Sequence, residues 1–381
     1  KVLYMANRLS SRLTYLEQDK VMMGPIHDQV GVEQGGVASS DMFQLVNNQE
    51  LVVTNSSGLG LDMGAVSVAA IGQADDVALL SPHPLALQSL LNLSEDFSSA
   101  TSLQNVPEKT KLLVYSSRGD STSATYWQEA APITMGGAPL PLSSQAEHVG
   151  VLRSTGPCGN MPAIISRLSS HSKSLYAILS CGMARRHRGN PAASLRVEAL
   201  YCSPRLYSGL STLFLSPAKI AAVSAQQKTT LEQLQRLYPR TPAPAVHLLS
   251  GTIPAAGVLH MRQLGLLLMI AKLGPGNILH RHGLYILHHG LKNSWFCQVR
   301  KISLHYSLPD PLVTLTSPPP TKSLWKTSVK SAVCHYWHRE LAAKAATLPS
   351  LCHLRAPFLP LGRGPHPLWW TCGSSSSSNR A

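Results

Sequence analysis

Cysteine is scarce and badly spaced for cross-linking. The seven cysteines, at 158, 181, 202, 297, 334, 352 and 372, form an odd set with no Cys-x-x-Cys pair. That excludes a disulfide framework and a zinc site of the paired-cysteine type, and it suits a reducing compartment, nucleus or cytoplasm, rather than secretion. Aromatic residues are few, at 6%. A long apolar run is also missing. The longest such window, "LGLLLMIAKLG" from Leu264 to Gly274, is broken by Lys272 and is too short to span a bilayer, so it reads as a core helix and no membrane partner is expected. Nothing at the amino end resembles a signal peptide. Acidic residues are nearly absent from the carboxyl-terminal part. Residues 151–381 carry 26 Lys and Arg against 4 Asp and Glu, a net of +22, whereas residues 1–150 carry 7 against 15, a net of −8. So one-sided a charge is the footprint of polyanion binding, with a merely soluble basic protein as the plain alternative.

What is present describes a loop-rich globular chain. Its 381 residues leave room for about two or three domains at roughly 150 residues each. An apolar share of 44% is enough for a core, and 27 Gly with 27 Pro promise many turns. No internal repeat is visible.

Residues 3–15 read as the end of a helix running into a strand. "VMMGPIHDQVGVEQGGVASSDMFQLV" offers a Gly-Pro turn at Gly24 and Pro25, then a glycine-rich turn at Gly35-Gly36. A helix should start near Ser39 or Ser40, good N-caps ahead of Met42, Phe43 and Val46. "GAVSVAAIGQADDVALL" alternates small and β-branched residues around two aspartates, the pattern of strand, acidic tip and strand. A helix follows, with Ser81 and Pro82 as start signals and Leu87, Leu90, Leu91 and Phe97 on one face. "EKTKLLVYS" and "AEHVGVLRS" read as further strands, which makes the first 155 residues α+β. Beyond Gly156 the texture is helical. Ile164, Ile165, Leu168, Leu175 and Leu179 share a helical spacing, and Asn190-Pro191 and Ser216-Pro217 open two more helices. Pro clusters from about residue 300 and a Ser-rich end point to a disordered tail.

The doublet Asp75-Asp76 sits inside an otherwise apolar run. Two adjacent carboxylates are costly there unless hydrogen bonds or a cation compensate them. Neighbours in a flat strand point to opposite faces, so the pair cannot chelate one ion from a regular strand. A hairpin tip relaxes that limit and would make Asp75 the main ligand and Asp76 the secondary one. The plain alternative is a polar turn.

The order of segments carries more than the doublet does. "GVEQGGVASSDMF", then "ADD" about 35 residues on, then "EKTKLLVYS" and "AEHVGVLRS" resemble the motif series of reverse transcriptases, in particular the non-LTR (LINE-like) retrotransposon type, over about residues 30–155. The stretch that follows, from "GMARRHRGNPAASLRVEALY" onward, is similar to the post-catalytic region of the same group. The resemblance implies a partial polymerase palm over 1–155, a helical thumb over 156–245, a helical connection-like region over 246–345 and a Pro/Ser-rich tail over 346–381. It implies an RNA-directed DNA polymerase, a nucleotidyltransferase acting by two-metal phosphoryl transfer with RNA template, DNA primer and dNTP as partners. Asp75 and Asp76 would hold Mg2+, with Mn2+ as a substitute. Gln34, Gly35 and Gly36 would meet nucleotide and template, and Lys109 the triphosphate. The sequence departs from the family in having Ser40 where Pro is usual. The family's first catalytic aspartate belongs on a strand several tens of residues before the Gln-Gly turn. Asp19 and Asp28, the only upstream aspartates, lie in polar hairpin segments without such a strand. The chain is therefore expected to be incomplete and inactive by itself. A residual nucleic-acid-binding protein without chemistry and a pseudogene product are the alternatives.

"ARRHRGN" gathers Arg185, Arg186 and Arg188, suited to the phosphates of a primer–template duplex or to a solvated helix end. His280, His282, His288 and His289 form one group, and Cys334, His338, Cys352 and His353 another. Neither has paired zinc spacing, and buried or surface roles are the expectation.

Overall fold

A computed structural model describes residues 12–18, 20–28, 39–115, 132–155, 159–182, 190–351 and 358–371. The chain divides into two compact units, Lys1–Ser144 and Gln145–Ala381. It is a mixed α and β molecule.

In the first unit β1 (Arg12–Gln18) pairs antiparallel with β2 (Val21–Asp28). The expected turn at Gly24-Pro25 is instead a bulge inside β2. Thr14 faces Ile26 and Leu16 faces Met23, so Gly24 and Pro25 together oppose Tyr15. A bulge is where a strand tolerates proline, because the extra residue makes no ladder hydrogen bond. Helix α1 (Ser39–Ser56) starts where the serines predict. Its buried positions, however, are Asn47, Glu50 and Thr54, while Leu45, Val46, Val52 and Val53 are exposed. Then come the two-residue strands β3 (Leu61–Asp62) and β4 (Ser67–Val68), and the hairpin β5 (Ala70–Gln73) and β6 (Asp76–Leu79). Helix α2 spans Pro84–Ala100 and begins two residues later than its first proline suggests. His83 caps it by accepting from the Leu85 amide, and Pro84 takes the first helical position, where a missing N–H costs nothing. The strands β7 (Thr134–Met135) and β8 (Ala138–Pro139) close the unit. Gln88 pins β7 to α2 through bonds to both the carbonyl and the amide of Thr134, and Leu91, Ile133, Met135 and Leu140 fill a small core.

The continuous antiparallel sheet expected of a palm is not formed among the described residues; each sheet there has two strands. Residues 108–115, the described part of "EKTKLLVYS", do not form a strand either. Val106 to Thr110 is a turn, with the Val106 carbonyl accepting from the amides of Lys109 and Thr110, and only Leu112 makes a bridge, to Leu142.

The second unit opens with the hairpin β9 (Gln145–His148) and β10 (Val151–Ser154), and the rest is helical. The helices are α3 (Met161–Ser180), α4 (Pro191–Val197), α5 (Ser203–Tyr207), α6 (Pro217–Gln235), α7 (Ala243–Ser250), α8 (Ala255–Leu273), α9 (Ile278–His289), α10 (Trp295–His305), α11 (Pro311–Thr316), α12 (Lys322–Ala346) and α13 (Leu368–Thr371). A π-turn, Glu198–Cys202, joins α4 to α5. Capping chemistry sets the starts. Asn190 accepts from the Ala192 amide, and Asp310 from the Leu312 amide, each ahead of a proline at the first helical position. Ser216 makes no such bond, so the start of α6 rests on the fixed backbone of Pro217.

Helix α8 contains the long apolar window. Among the described residues it is the helix long and apolar enough to cross a membrane by composition. Leu264 and Leu267 on it are fully buried, packed with Phe296, Val299, Trp325 and Val333 from α10 and α12, while fully buried Leu259 packs with Leu206, Leu213 and Val223. Residues 358–371, within the stretch expected to be a disordered tail, pack on α6 and α7. The Gly362 amide donates to the Gly251 carbonyl, Trp369 Nε1 donates to Gln235, and Leu361 and His366 are buried. Gly251 has φ 67, and a Cβ there would stand 1.8 Å from the Gly364 carbonyl oxygen, so only glycine admits this docking.

Candidate functional site

The acidic tip is built by a two-residue turn. Gln73 pairs with Asp76, which leaves Ala74 and Asp75 as the turn and makes Asp76 the first residue of β6. The doublet is therefore split between turn and strand. Ala74 carries φ 53, a left-handed conformation that costs an L-residue about 1–2 kcal/mol. Buried Asn47 offsets that cost by donating from Nδ2 to the Ala74 carbonyl at 2.7 Å. A second asparagine fixes the other end of the hairpin. Asn55 Oδ1 accepts from the amides of Ala69 and Ala70 at 2.8 and 3.1 Å, and its Nδ2 donates to the carbonyls of Leu51 and Ala70. Gly72 lets β5 lie against α1, since a Cβ there would come within 3.0 Å of Leu51 Cδ1. Behind the helix, Ser94 on α2 donates to buried Glu50 at 2.5 Å. Asn47, Glu50 and Asn55 are thus the polar side chains that join α1 to its neighbours, while buried Thr54 bonds back to its own helix at Glu50. The helical spacing of Asn47, Glu50 and Thr54 is visible in the sequence, and the sequence reading missed it.

Asp75 and Asp76 are both exposed, and among the described residues neither makes an ion pair or a side-chain hydrogen bond. Exposed carboxylates can offer oxygens to a hard cation such as Mg2+. The donor set stops at two: among the described residues there is no group of three or more His, Cys, Asp and Glu able to hold a metal ion. These residues alone do not complete a two-metal site. Lys109 is exposed in the 106–110 turn, and among the described residues no hydrogen bond or ion pair joins it to either aspartate. Gln34, Gly35, Gly36, Arg185, Arg186 and Arg188 lie outside the described residues, as do Cys352 and His353.

In the second unit the few acids are spoken for. Glu198 lies 4.0 Å from His171 and accepts from Ser203, Glu232 lies 2.7 Å from Lys228, Asp310 lies 2.8 Å from Arg300, and Glu340 lies 3.9 Å from Arg339. Every acid from 151 onward thus has a basic side chain beside it. Lys322, Lys326 and Lys330 repeat every four residues along α12, exposed and without a carboxylate partner among the described residues. At 1.5 Å rise per residue they stand about 6 Å apart along the axis. The sequence reading placed its phosphate contacts on Arg185 to Arg188 and passed over this ladder. Its signal was the repeat of lysine at four-residue spacing.

Four histidines of the second unit, His171, His247, His280 and His366, are buried. His280 Nε2 is 2.9 Å from the Leu315 carbonyl, whereas His288 and His289 are exposed at the end of α9. Compared with known proteins, the chain matches no protein-family model and no curated protein.

Proposed function

We propose that the chain is part of an RNA-directed DNA polymerase of the retrotransposon type. In this reading the hairpin tip is the cation-binding point of a palm, and residues 151–381 hold the RNA template with its DNA primer. One observation carries it: uncompensated Asp75 sits on, and uncompensated Asp76 directly after, a two-residue turn that α1 holds in a strained conformation through Asn47. The order of parts supports it, since α1, the acidic hairpin, α2, the turn with Lys109 and the hairpin β9–β10 follow in the sequence of the polymerase motifs. Phosphoryl transfer asks a protein for positioning and charge neutralisation, which exposed carboxylates and a lysine can supply. Two carboxylates, with no third donor among the described residues, assign no catalytic step, so the chain by itself is expected to bind nucleic acid and not to extend a primer.

The test uses Mn2+ as a paramagnetic probe in the presence of an RNA–DNA hybrid and dNTP. NMR signals of residues 72–78 should broaden in the native chain and stay sharp in Asp75→Asn/Asp76→Asn. Equal behaviour of the two proteins would sink the reading. Magnesium-dependent primer extension, lost in Asp75→Ala, would overturn the expectation of an inert chain.

A second reading, nucleic-acid binding without chemistry, is favoured by the net charge of +22 and by the engagement of every acid beyond residue 150. It expects affinity for duplex or hybrid to fall steeply with salt, equally in the native chain and in the aspartate variants. A flat salt dependence would remove it.

A further inference from the structure

The second unit holds a cleft of about 310 Å³ between α6, α7, α8 and α12. Its lining is mostly apolar, with Pro254 and Leu341 among the walls, and its polar groups are few and placed. That volume and composition lie at the small end of the range for small-molecule sites, roughly 300–1,000 Å³.

One wall is the indole of Trp337, fixed from two sides. Its Nε1 donates to the Tyr306 hydroxyl at 3.0 Å, and the same hydroxyl lies 2.9 Å from His260 Nδ1. The indole also lies on the backbone of α8 at Gly257, where a Cβ would stand 2.6 Å from Nε1. The ring is therefore held before any ligand arrives, which lowers the entropic cost of stacking on it.

A second group is His247, only 5% exposed. Its Nδ1 lies 3.1 Å from the Thr252 carbonyl oxygen, which can only accept, so Nδ1 carries the proton. Nε2 is left as an acceptor with no partner among the described residues. Burial lowers the pKa of His247 to about 4, partly opposed by the Thr252 bond and aided by the charge of Lys228, so the ring is neutral at pH 7. The third element is the pair of cations, Lys228 and Lys344. Lys228 is shared with Glu232 at 2.7 Å, whereas Lys344 has no carboxylate partner among the described residues. No carboxylate lines the cleft.

A flat aromatic wall, one buried acceptor and two cations match a planar N–H donor that carries an anion. A bare phosphate would gain nothing from the apolar walls, and an apolar acid would leave the imidazole nitrogen unpaired. We propose that the cleft binds a nucleoside phosphate, with the base stacked on Trp337, a base N–H donated to His247 Nε2 and the phosphate on Lys344 and Lys228. The source is a free mononucleotide or the terminal nucleotide of a strand. The site does not depend on the hairpin carboxylates and stands or falls apart from the polymerase reading.

The experiment is a calorimetric titration of the full chain with adenosine 5′-monophosphate and with inorganic phosphate, alongside NMR of the indole N–H signals. The native chain should bind the nucleotide at least about tenfold more tightly than phosphate, and the Trp337 indole signal should shift on binding. Lys344→Gln, at an exposed position, should weaken nucleotide binding about tenfold without touching the fold. Trp337→Phe identifies the indole signal, and should that variant fold poorly, Lys344→Gln still decides. Equal binding of phosphate and nucleotide, an unmoved indole signal, or unchanged affinity in Lys344→Gln would each overturn the proposal. Displacement of the nucleotide by a 5′-phosphorylated single-stranded oligonucleotide supports a strand end as the source, and failure to displace it supports the free mononucleotide.

Discussion

Acid should loosen the second unit through two histidines, buried His247 and half-buried His260. Burial is the main reason that His247 and His260 both have pKa values lowered to about 4, with the charge of His305 adding to the effect at His260. For a base, a lowered folded value means that the unfolded chain binds more protons between about pH 4 and 6.5. The stability contributed by the neutral rings is complete above 6.5 and is lost as pH falls towards 4. Between pH 7 and pH 5 each ring should cost about 2 kcal/mol, so the pair removes about 4 kcal/mol, a large part of an ordinary folding stability. The perturbation that isolates them is His247→Asn with His260→Asn, since asparagine keeps a donor near the Nδ1 position and does not titrate. Chemical denaturation followed by tryptophan fluorescence at pH 7 and pH 5 measures it. The double variant should start less stable at pH 7 but lose about 4 kcal/mol less on going to pH 5. If native chain and variant lose the same amount, the histidines are not held neutral and the reasoning fails.

Other substitutions test the packing. Gly283→Ala puts a Cβ 2.6 Å from Phe296 Cε1, an aromatic ring in the core, and should lower stability by about 1–3 kcal/mol in calorimetry. Asn55→Ala removes the bonds to Ala69, Ala70 and Leu51, and should cost about 2 kcal/mol while raising amide exchange in the β5–β6 hairpin. Asp310→Ala, which loses both the Leu312 cap and the Arg300 pair, should cost about 1 kcal/mol, with Asp310→Asn, which keeps a capping oxygen, costing less. Unchanged melting temperatures in these variants would count against the contacts named.

How much of this was legible follows from how local the cause is. Asn190-Pro191 and Ser216-Pro217 announce their helices because capping and a fixed φ act within two residues. The acidic tip was legible because a two-residue turn and strand alternation are short-range. What failed was set at a distance. Asn47 is buried and Asn55 half-buried because they meet Ala74 and Ala70 across a turn, which reverses the expected apolar face of α1. Leu112, Leu113 and Val114 read as a strand, yet only Leu112 finds a partner, and it lies far along the chain at Leu142. Gly24-Pro25 read as a turn because sequence does not reveal that Tyr15 will oppose both. The fixed wall of Trp337 depends on Gly257 and Tyr306, each remote in sequence.

The lysine ladder on α12 carries a cost of its own. Like charges four residues apart oppose helix formation by about 0.2–0.5 kcal/mol per pair, and Lys322, Lys326 and Lys330 make two such pairs. Replacing Lys326 with glutamate would turn both repulsions into attractions and make α12 firmer by about 1 kcal/mol. The same change would erase the centre of the ladder. An evolutionary search for stability alone would find that substitution quickly, so a helix that keeps three lysines in register gives up stability for charge.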